Sequence, residues 1–400
     1  MIGFITSKEV QQYLKENEFA DEAVLLLKHK TILGLPSSVI VDQLRGRRKI
    51  KEKLPTYFNS RGIVYPPTFN LEQSSSEATA KFKSEVLSKL CGGNPARCAD
   101  LTGGFGVDTF FLSKVFKQVH FIEPDSSLLK IAKHNHERLG AKNILYHNTS
   151  AETFIKNTTE LFDIIFLDPS RRDRSKKKVF RFVDCEPNVL SLLDQVFIKA
   201  KYLVVKSSSL IDLQQGVLEL HNVDSVFVVS LDNECKEVLF QCSPHANNKP
   251  TIQAINIQKG IHQVFQFTRD EERNIQSNFS EPLLYLFEPN ASILKAGAFK
   301  LIGLKFGLFK IHMNTHLYTS NELNIDFPGR IFKVIATVSP DPKKLKPYFV
   351  EGKANVITRN YPMEAEALKK KSALKDGGEK YLIGFSSTKK RMVVVADRIA

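Results

Sequence analysis

The sequence predicts an α/β protein built around a doubly wound sheet, and three observations support this fold class. Apolar strands alternate with helical patterns from Arg97 to Gln241. The stretch Asp100–Asp108, DLTGGFGVD, places a glycine turn between a strand and a helix, which is typical of the nucleotide-binding corner of such a domain. The last two strands, 226–230 and 237–241, are joined only by LDNECK, which is too short for a helix, so we expect an antiparallel hairpin there.

The glycine turn is the most informative motif of the chain. Gly103, Gly104 and Gly106 allow a tight turn and let the backbone approach a ligand closely. The first turn of the following helix offers free N–H groups to a polar ligand. The dinucleotide-binding fingerprint has a third glycine or an alanine where this chain has Thr109, which argues against a nicotinamide-dependent enzyme.

Three predicted strands end in a carboxylate. Asp100 follows the first strand, Glu123 follows VHFI 23 residues later, and Asp168 follows FDIIFL. A carboxylate at Glu123 can accept hydrogen bonds from both hydroxyl groups of an adenosine ribose. Because ligands of open α/β sheets bind outside the carboxyl ends of the strands, we expect these three side chains to converge on one crevice.

The composition is that of an ordinary globular protein. A length of 400 residues predicts two to four domains, and 42% hydrophobic with 25% charged residues is typical of folded chains. No apolar run is long enough for a membrane span, and the N-terminus lacks the pattern of a signal peptide. The five cysteines form no CxxC pair, so we expect no metal site, no disulfide framework and a location in the reducing cytoplasm.

The charge distribution points to a polyanionic partner. The formal net charge is +14, and the segment from Arg330 to Ala400 holds 16 Lys and Arg against 7 Asp and Glu, a net charge of +9. A second basic cluster, RRDRSKKK at Arg171–Lys178, directly follows Asp168-Pro169. Basic charge at both places favours nucleic acid over a small substrate, although a merely solvated surface is the alternative.

The N-terminal region is predicted to be helical. Thr6–Glu9, TSKE, has the pattern of a capping box, and helical periodicity follows over Ala20–Lys30 and Val39–Lys51. We therefore predict a helical domain over residues 1–70 and a cofactor-binding domain over 71–245, the second ending at the polar break SPHANNK.

The C-terminal region is predicted to contain two α+β modules, 246–329 and 330–400. Residues 251–268 alternate like an antiparallel strand pair, and two helical patches follow at 291–298 and 301–306. Beyond Arg330 the order is β-α-β-α-β-β, with Asp341 as a helix N-cap and Pro342 at the first helical position. This last module lacks obvious catalytic residues.

The segment from Leu71 to Cys242 resembles the class I S-adenosylmethionine-dependent methyltransferases. The whole layout is similar to a bacterial group of predicted RNA methyltransferases that carry an N-terminal helical region, a ferredoxin-like insert and a C-terminal THUMP-like domain. The phrases LEQSSSEATA, DPSRRD, NECKE and VSPDPKKL match that group. The resemblance implies a Rossmann-like seven-stranded domain, S-adenosylmethionine as the cofactor, and methylation of a base in structured RNA, either tRNA or rRNA.

The resemblance also implies roles for particular residues. Asp100 would contact the methionine amino end of the cofactor, and Glu123 would bind the ribose. The glycines of the turn would line the cofactor, Ala151 and Glu152 would hold the adenine edge, and the methyl group and the acceptor would face Asp168, Pro169, Ser170 and Arg171. Further cofactor contacts are predicted beside these motifs, at Thr102, Asp108 and Pro124.

The acceptor motif departs from the pattern of methyltransferases that act on amino groups of bases. Those enzymes place an aromatic residue after their Asp-Pro or Asn-Pro, whereas this chain has Ser170 and Arg171. Arginine can stack on a base or bind phosphate, although Arg171, Arg172 and Arg174 could equally be a solvated loop. Cys185 lies too late in the chain for a covalent nucleophile and is interpreted as structural. Lys206 could neutralise a nearby carboxylate or orient the acceptor.

Alternative functions remain open at the level of the sequence. The irregular DPSRR motif also fits a non-catalytic RNA-binding protein that keeps a methyltransferase fold. Only the basic module argues against a protein or small-molecule substrate. The identity of the RNA, the modified atom and the oligomeric state are not determined by these patterns.

Overall fold

The computed structural model describes residues 1–171, 181–247 and 249–400. The chain divides into two compact units. The first contains Met1–Ser225 and Glu237–Asn248, and the second contains Val226–Lys236 and Lys249–Ala400.

The first unit begins with helices, as predicted. They are α1 (Ile2–Ile5), α2 (Lys8–Glu16), α3 (Glu22–Lys28), α4 (Ser37–Ile50), α5 (Pro55–Asn59), α6 (Thr68–Gln73) and α7 (Glu77–Leu90), with two short strands, β1 (Thr31–Ile32) and β2 (Leu35–Pro36), before α4. The predicted capping box at Thr6–Glu9 is wrong by one residue. Ser7 caps α2 by accepting a hydrogen bond from the Val10 N–H at 3.3 Å, because the Thr6 hydroxyl donates back to the Ile2 carbonyl of α1 at 3.0 Å.

Strands and helices then alternate. The elements are β3 (Arg97–Asp100), α8 (Val107–Leu112), β4 (Gln118–Ile122), α9 (Ser126–Arg138), β5 (Ile144–His147), α10 (Ala151–Asn157), β6 (Phe162–Leu167), β7 (Ser170–Arg171), a 3₁₀ turn (Phe182–Asp184), β8 (Cys185–Glu186), α11 (Val189–Lys199), β9 (Ala200–Ser208), α12 (Leu213–Leu220), β10 (Val223–Leu231) and β11 (Glu234–Cys242).

The sheet has the predicted arrangement of five parallel strands followed by an antiparallel hairpin. Across the described residues the sheet has nine strands, two more than the seven predicted. The order of the seven that precede residue 243 is β10-β11-β9-β6-β3-β4-β5, and neighbouring strands from β9 to β5 are parallel. β11 runs antiparallel to β9. The hairpin turn consists of Asp232 and Asn233, with φ of +49° and +64°, which suits a two-residue turn. The parallel strands bring their carboxyl ends to one edge of the sheet.

The second unit combines helices with strands that pair mostly antiparallel, and its one described parallel pair of strands joins residues 353–359 to 375–385. Its elements after the hairpin are β12 (Thr251–Gln258), β13 (Ile261–Thr268), α13 (Arg269–Asn274), β14 (Tyr285–Pro289), α14 (Ala291–Ala296), α15 (Leu301–Lys305), β15 (Phe309–His312), β16 (Thr315–Ser320), β17 (Gly329–Val338), α16 (Pro342–Leu345), β18 (Lys353–Arg359), α17 (Ala365–Lys371), β19 (Lys375–Ser386) and β20 (Arg391–Arg398). The last seven strands form a second sheet in the order β15-β16-β14-β17-β20-β19-β18.

The predicted start of α16 is confirmed, since the Asp341 carboxylate accepts a hydrogen bond from the Lys343 N–H at 2.9 Å. Strand β20 is buried on both faces. Val394 packs into one apolar cluster with Phe332, and Val393 and Val395 pack into another with Leu368 of α17. The continuous apolar run MVVVA is explained by this double burial.

Candidate active site

Three carboxylates lie at the carboxyl ends of three adjacent strands. Asp100 ends β3, Glu123 follows β4 and Asp168 follows β6, and these strands are neighbours in the order β6-β3-β4. Parallel pairing places all three at the same edge of the sheet. The convergence expected from the sequence is therefore present in the fold.

Thr102 links two of these strand ends. The Asp100 carboxylate accepts hydrogen bonds from the Thr102 N–H at 3.1 Å and from the Thr109 hydroxyl at 2.6 Å. The Thr102 hydroxyl in turn accepts a hydrogen bond from the Asp168 N–H at 2.7 Å. One threonine thus couples the position of Asp100 to the backbone that carries Asp168.

The glycine turn is tied to the third carboxylate. The two oxygens of Glu123 accept hydrogen bonds from the N–H groups of Gly104 and Asp125, both at 2.8 Å. Gly104 has φ of +54°, and at Gly103 a Cβ would lie 2.4 Å from the Phe121 ring. Glycine is required at both positions, at one for the backbone angle and at the other for close packing.

The last glycine of the turn is supported by a buried histidine. Gly106 has φ of +82°, and its carbonyl accepts a hydrogen bond from His136 Nε2 at 2.8 Å. Tyr146 Oη lies 3.0 Å from His136 Nδ1. Burial lowers the pKa of His136 to about 4, so the ring is neutral and donates one hydrogen bond to the turn.

Burial also alters the acidity of the carboxylates. Burial raises the pKa of Asp100 to about 7, although the hydrogen bonds from Thr109 and Thr102 act to lower that pKa. It raises the pKa of Glu123 despite the two backbone hydrogen bonds. A cationic ligand group would stabilise the ionised form of Asp100, since the protein supplies no ammonium or guanidinium bonded to it among the described residues.

The site fits a nucleoside with an attached amino acid. A Cβ on Gly104 would meet only the Thr102 carbonyl oxygen, at 3.8 Å, so the turn leaves space above this residue. Each oxygen of Glu123 uses one lone pair for a backbone N–H and keeps another for a ribose hydroxyl.

The predicted adenine edge is assembled by a residue that the sequence analysis missed. Asn148 Nδ2 donates to the carbonyl oxygens of Glu123 and Pro124, both at 2.9 Å. The loop after β5 is thereby held against the loop after β4. Ala151 is buried at the first position of α10, and Glu152 beside it is exposed, as is Pro124. A polar residue just after a strand was the only available signal for Asn148.

Asp108 lies in a separate group of charges. Its carboxylate accepts a hydrogen bond from the Ser75 hydroxyl at 2.8 Å and pairs with Lys83 Nζ at 3.2 Å. Lys83 also donates to both oxygens of Glu237, at 2.7 and 2.8 Å. Burial would raise the pKa of Asp108, but Lys83 and Lys206 outweigh it and lower that pKa.

Lys206 connects this group to the acceptor strand, because its Nζ donates to Asp168 Oδ2. We call the five residues Lys83, Asp108, Asp168, Lys206 and Glu237 the buried charge cluster. Burial would lower the pKa of Lys206, but the charges of Asp168, Asp108 and Glu237 outweigh it and raise that pKa. Lys206 is therefore an ammonium ion.

The rest of the acceptor motif is partly described. Pro169 is buried, and Ser170 is exposed at the start of β7, which pairs with β8. The Arg171 side chain, Arg172 and Arg174 lie outside the described residues. Cys185 is buried in β8, and its thiol donates to the Arg181 carbonyl at 3.3 Å.

The described parts of the chain contain no cluster of three or more His, Cys, Asp and Glu side chains able to hold a metal ion. Among the helices of residues 1–171, 181–247 and 249–400, none has the length and apolar character needed to span a bilayer.

Three family models match separate segments of the chain. Residues 79–215 match the family described as conserved hypothetical protein 95. Residues 285–328 match a ferredoxin-like domain, and residues 329–398 match a THUMP-like domain. No curated protein matches the sequence.

One solved structure shares the fold over nearly the whole chain. A "putative methyltransferase from Porphyromonas gingivalis W83" has a TM-score of 0.87 and 28% identity, covering 98% of this chain and 98% of that chain. An rRNA methylase from Streptococcus thermophilus, at 17% identity and a TM-score of 0.31, covers 40% of this chain and 94% of that chain. A protein described as "a putative methyltransferase from streptococcus mutans in complex with SAH" has the same identity and TM-score and covers 41% of this chain and 96% of that chain. At these TM-scores the last two matches have no bearing on function.

Proposed function

We propose that this chain, which joins a methyltransferase fold to ferredoxin-like and THUMP-like domains, is an S-adenosylmethionine-dependent methyltransferase that acts on structured RNA, either tRNA or rRNA. One observation carries the proposal. Asp100, Glu123 and Asp168 lie at one sheet edge and are hydrogen-bonded to the same turn, through Thr102 and Gly104. Similarity to the P. gingivalis structure over 98% of the chain supports the methyltransferase class.

The residues of the turn have distinct roles in this proposal. Glu123 binds the ribose hydroxyls, and Asp100 in its ionised form faces the ammonium of the methionine moiety. Gly103, Gly104 and Gly106 bring the backbone close to the ligand. Further contacts are assigned to Thr102, Asp108, Pro124, Ala151 and Glu152. When bound, the cofactor supplies a methyl group already activated by its sulfonium, so the protein mainly has to align the acceptor.

RNA is proposed as the partner on the basis of charge. The segment 330–400 has a net charge of +9, and exposed lysines lie in α16 and in the turn before β20, namely Lys343, Lys344, Lys389 and Lys390. Contacts of lysine with phosphate fix position rather than base identity. Affinity for RNA should fall steeply as the salt concentration rises, because binding releases counterions from the RNA and this release is less favourable at high salt.

The location and the domain boundaries are also proposals. Cys91, Cys98 and Cys242 are free thiols, and we propose the reducing cytoplasm as the location. We propose four domains, namely 1–70, 71–245, 246–329 and 330–400.

Two measurements test the proposal. Calorimetry with S-adenosylmethionine should show binding, and nucleosides of tRNA and rRNA from cells without the gene should lack one methylated species in mass spectrometry. Binding of RNA without any binding of the cofactor would instead favour the alternative, a non-catalytic RNA-binding protein with a methyltransferase fold.

A further inference from the structure

We propose that the methyl acceptor is a hydroxyl oxygen, the ribose 2′-hydroxyl of RNA, and not the base that the sequence predicts. This inference rests on the proposed function and concerns the same site. It follows from the buried charge cluster, which places an ammonium ion directly beside Asp168.

The cluster is assembled from five different elements. Lys83 comes from α7, Asp108 from α8, Lys206 from β9 and Glu237 from β11, while Asp168 follows β6. The side chains of Lys83 and Glu237 are 2% and 5% exposed and lie 2.7 Å apart. Desolvation of two ammonium groups and three carboxylates costs free energy, and apolar residues at these positions would give a fold of similar stability. The presence of the charges therefore indicates a function other than stability.

Asp168 is the member of the cluster that remains accessible. Its side chain is 34% exposed, whereas that of Lys206 is 10% exposed. Oδ2 accepts the hydrogen bond from Lys206, and Oδ1 has no hydrogen-bond partner among the described residues. Within the described residues, Asp168 therefore presents one unbonded carboxylate oxygen, while Lys206 holds the other.

The charge that develops on the attacking atom during methyl transfer has opposite signs for an oxygen acceptor and a nitrogen acceptor. A hydroxyl oxygen that attacks a methyl group becomes more negative as its proton leaves, and an adjacent ammonium stabilises that charge. An attacking base nitrogen becomes positive, and the same ammonium opposes it. Once Asp168 has taken the proton it is neutral, so the Lys206 ammonium is the charge that remains in this ion pair, and it favours an oxygen acceptor.

The two described side chains that directly follow Asp168 are those of Pro169 and Ser170, and neither has an aromatic face on which an extruded base could stack. A ribose hydroxyl is reached from the backbone side of RNA without unstacking the base.

The reaction balances with the groups named. The hydroxyl oxygen forms a bond to the methyl carbon while the carbon–sulfur bond breaks, and the electron pair of that bond remains on sulfur. The hydroxyl proton passes to Asp168 Oδ1 and then to solvent. Lys206 stays protonated throughout and acts as a positioning cation.

The acceptor atom can be identified with the full-length wild-type protein. RNA from cells lacking the gene is incubated with the protein and S-adenosylmethionine labelled in the methyl group, and is then hydrolysed with alkali. Alkaline cleavage requires a free 2′-hydroxyl, so a ribose-methylated product should be recovered as labelled, alkali-resistant dinucleotides. Label in mononucleotides would overturn this inference and leave the proposed function standing. RNA without any label would overturn both.

Variants of Lys206 test the role of the cation. Lys206→Met should lower the transfer rate by about 100-fold or more, with cofactor binding and RNA binding retained, and Lys206→Arg should recover part of the rate. The matched control is Lys201→Met on the same strand, whose Nζ pairs with Asp163 at 2.7 Å at the other end of the sheet. A Lys206→Met protein that binds the cofactor and transfers methyl groups at the wild-type rate would contradict the role. If this variant does not fold, the alkali experiment still decides, because it needs no substitution.

Discussion

The two edges of the parallel sheet each carry an aspartate–lysine ion pair on the same two strands. At the carboxyl edge, Asp168 after β6 pairs with Lys206 of β9. At the amino edge, Asp163 of β6 pairs with Lys201 of β9 at 2.7 Å. The pairs have the same chemistry, yet their burial is reversed. Lys206 is buried beside a half-exposed aspartate, whereas Lys201 is 73% exposed beside an aspartate that is 14% exposed.

The difference lies in how completely each aspartate is satisfied. Asp163 also accepts hydrogen bonds from the N–H groups of Ala96 and Arg97, at 2.7 and 3.1 Å. Burial would raise the pKa of Asp163, but Lys201 and these two backbone donors outweigh it and lower that pKa. Asp163 thus fixes the start of β3, while Asp168 Oδ1 has no hydrogen-bond partner in residues 1–171, 181–247 and 249–400. This difference agrees with the proposed catalytic role of Asp168 and with a structural role for Asp163.

The largest expected effect tests the difference between the two aspartates and is a loss of transfer rate in Asp168→Asn. The amide still accepts from Lys206, but it cannot take a proton, so the transfer rate should fall by roughly 10²–10⁴-fold. Asp163→Asn should leave the rate within about two-fold and lower the free energy of unfolding by about 1–2 kcal/mol, because its hydrogen bonds lose their charge. Initial rates at saturating cofactor and urea unfolding measure the two quantities. Equal losses of rate in both variants would contradict the different roles proposed for Asp168 and Asp163.

A second contrast concerns two glutamates at opposite edges. Glu123→Ala removes the acceptor for the ribose hydroxyls and should weaken cofactor binding by about 10–100-fold, since hydrogen bonds to charged groups contribute about 1.5–3 kcal/mol. Glu160 lies before β6 and within 3.5 Å of Arg97 and His120, so Glu160→Ala should leave cofactor affinity unchanged. Calorimetry compares the two. RNA affinity should be nearly intact in both variants, and a drop confined to RNA binding would count against the assignment of Glu123.

Two glycines provide the third contrast. Gly104 at the carboxyl edge and Gly140 at the amino edge have φ of +54° and +80°, and neither is crowded by side chains. Alanine should cost roughly 1 kcal/mol of stability at each, because the left-handed backbone is strained. Only Gly104→Ala places a methyl group over the turn, and cofactor affinity should fall by about ten-fold, or 1.4 kcal/mol. Thermal unfolding and calorimetry separate these effects, and equal affinities would show that the ligand lies elsewhere.

The smallest effect is a dependence on pH. The folded-state pKa of Asp100 is raised to about 7, so its contribution to stability is present below about pH 4 and is lost as the pH rises through about 7. Asp163 behaves oppositely, because its lowered pKa contributes stability above about pH 4 that is lost on acidification.

Binding of a ligand ammonium requires ionised Asp100. Cofactor affinity should therefore increase several-fold between pH 6 and pH 8, and Asp100→Asn should remove this dependence. Calorimetry at three pH values provides the check. An affinity that declines over this range in the wild type would contradict contact between Asp100 and a cation.

Local sequence patterns predicted the residues at the carboxyl edge of the sheet, because each of its features depends on residues close together in the chain. An apolar strand followed by a polar residue identifies a strand end, and consecutive glycines identify a tight turn. Asp100, Glu123 and Asp168 could thus be placed before their contacts were known. The hydrogen bond from the Asp168 N–H to the Thr102 hydroxyl could not be predicted, since it joins residues 66 positions apart.

The contacts of Asp108 could not be predicted from local sequence patterns. Its place beside the glycine motif predicts a cofactor contact, and that remains a prediction. Asp108 lies in the first turn of α8, which follows the cap residue Gly106, and its side chain is directed towards Ser75 just before α7. This direction depends on how α7 packs. The shift of the α2 cap from Thr6 to Ser7 has a similar cause, since a four-residue helix in front of α2 takes the Thr6 hydroxyl.

The sequence by itself determined the alternation of strands and helices, the glycine turn, the carboxylates at the strand ends and the basic C-terminal region, because each depends on residues close together in the chain. Only the tertiary structure decided the buried charge cluster. Lys83 and Glu237 are 154 positions apart, and their pairing with Asp108, Lys206 and Asp168 exists only once α7, α8 and three strands have packed. Ion pairs of this kind leave no periodic pattern in a sequence, because burial and distance, not spacing, determine which charges meet.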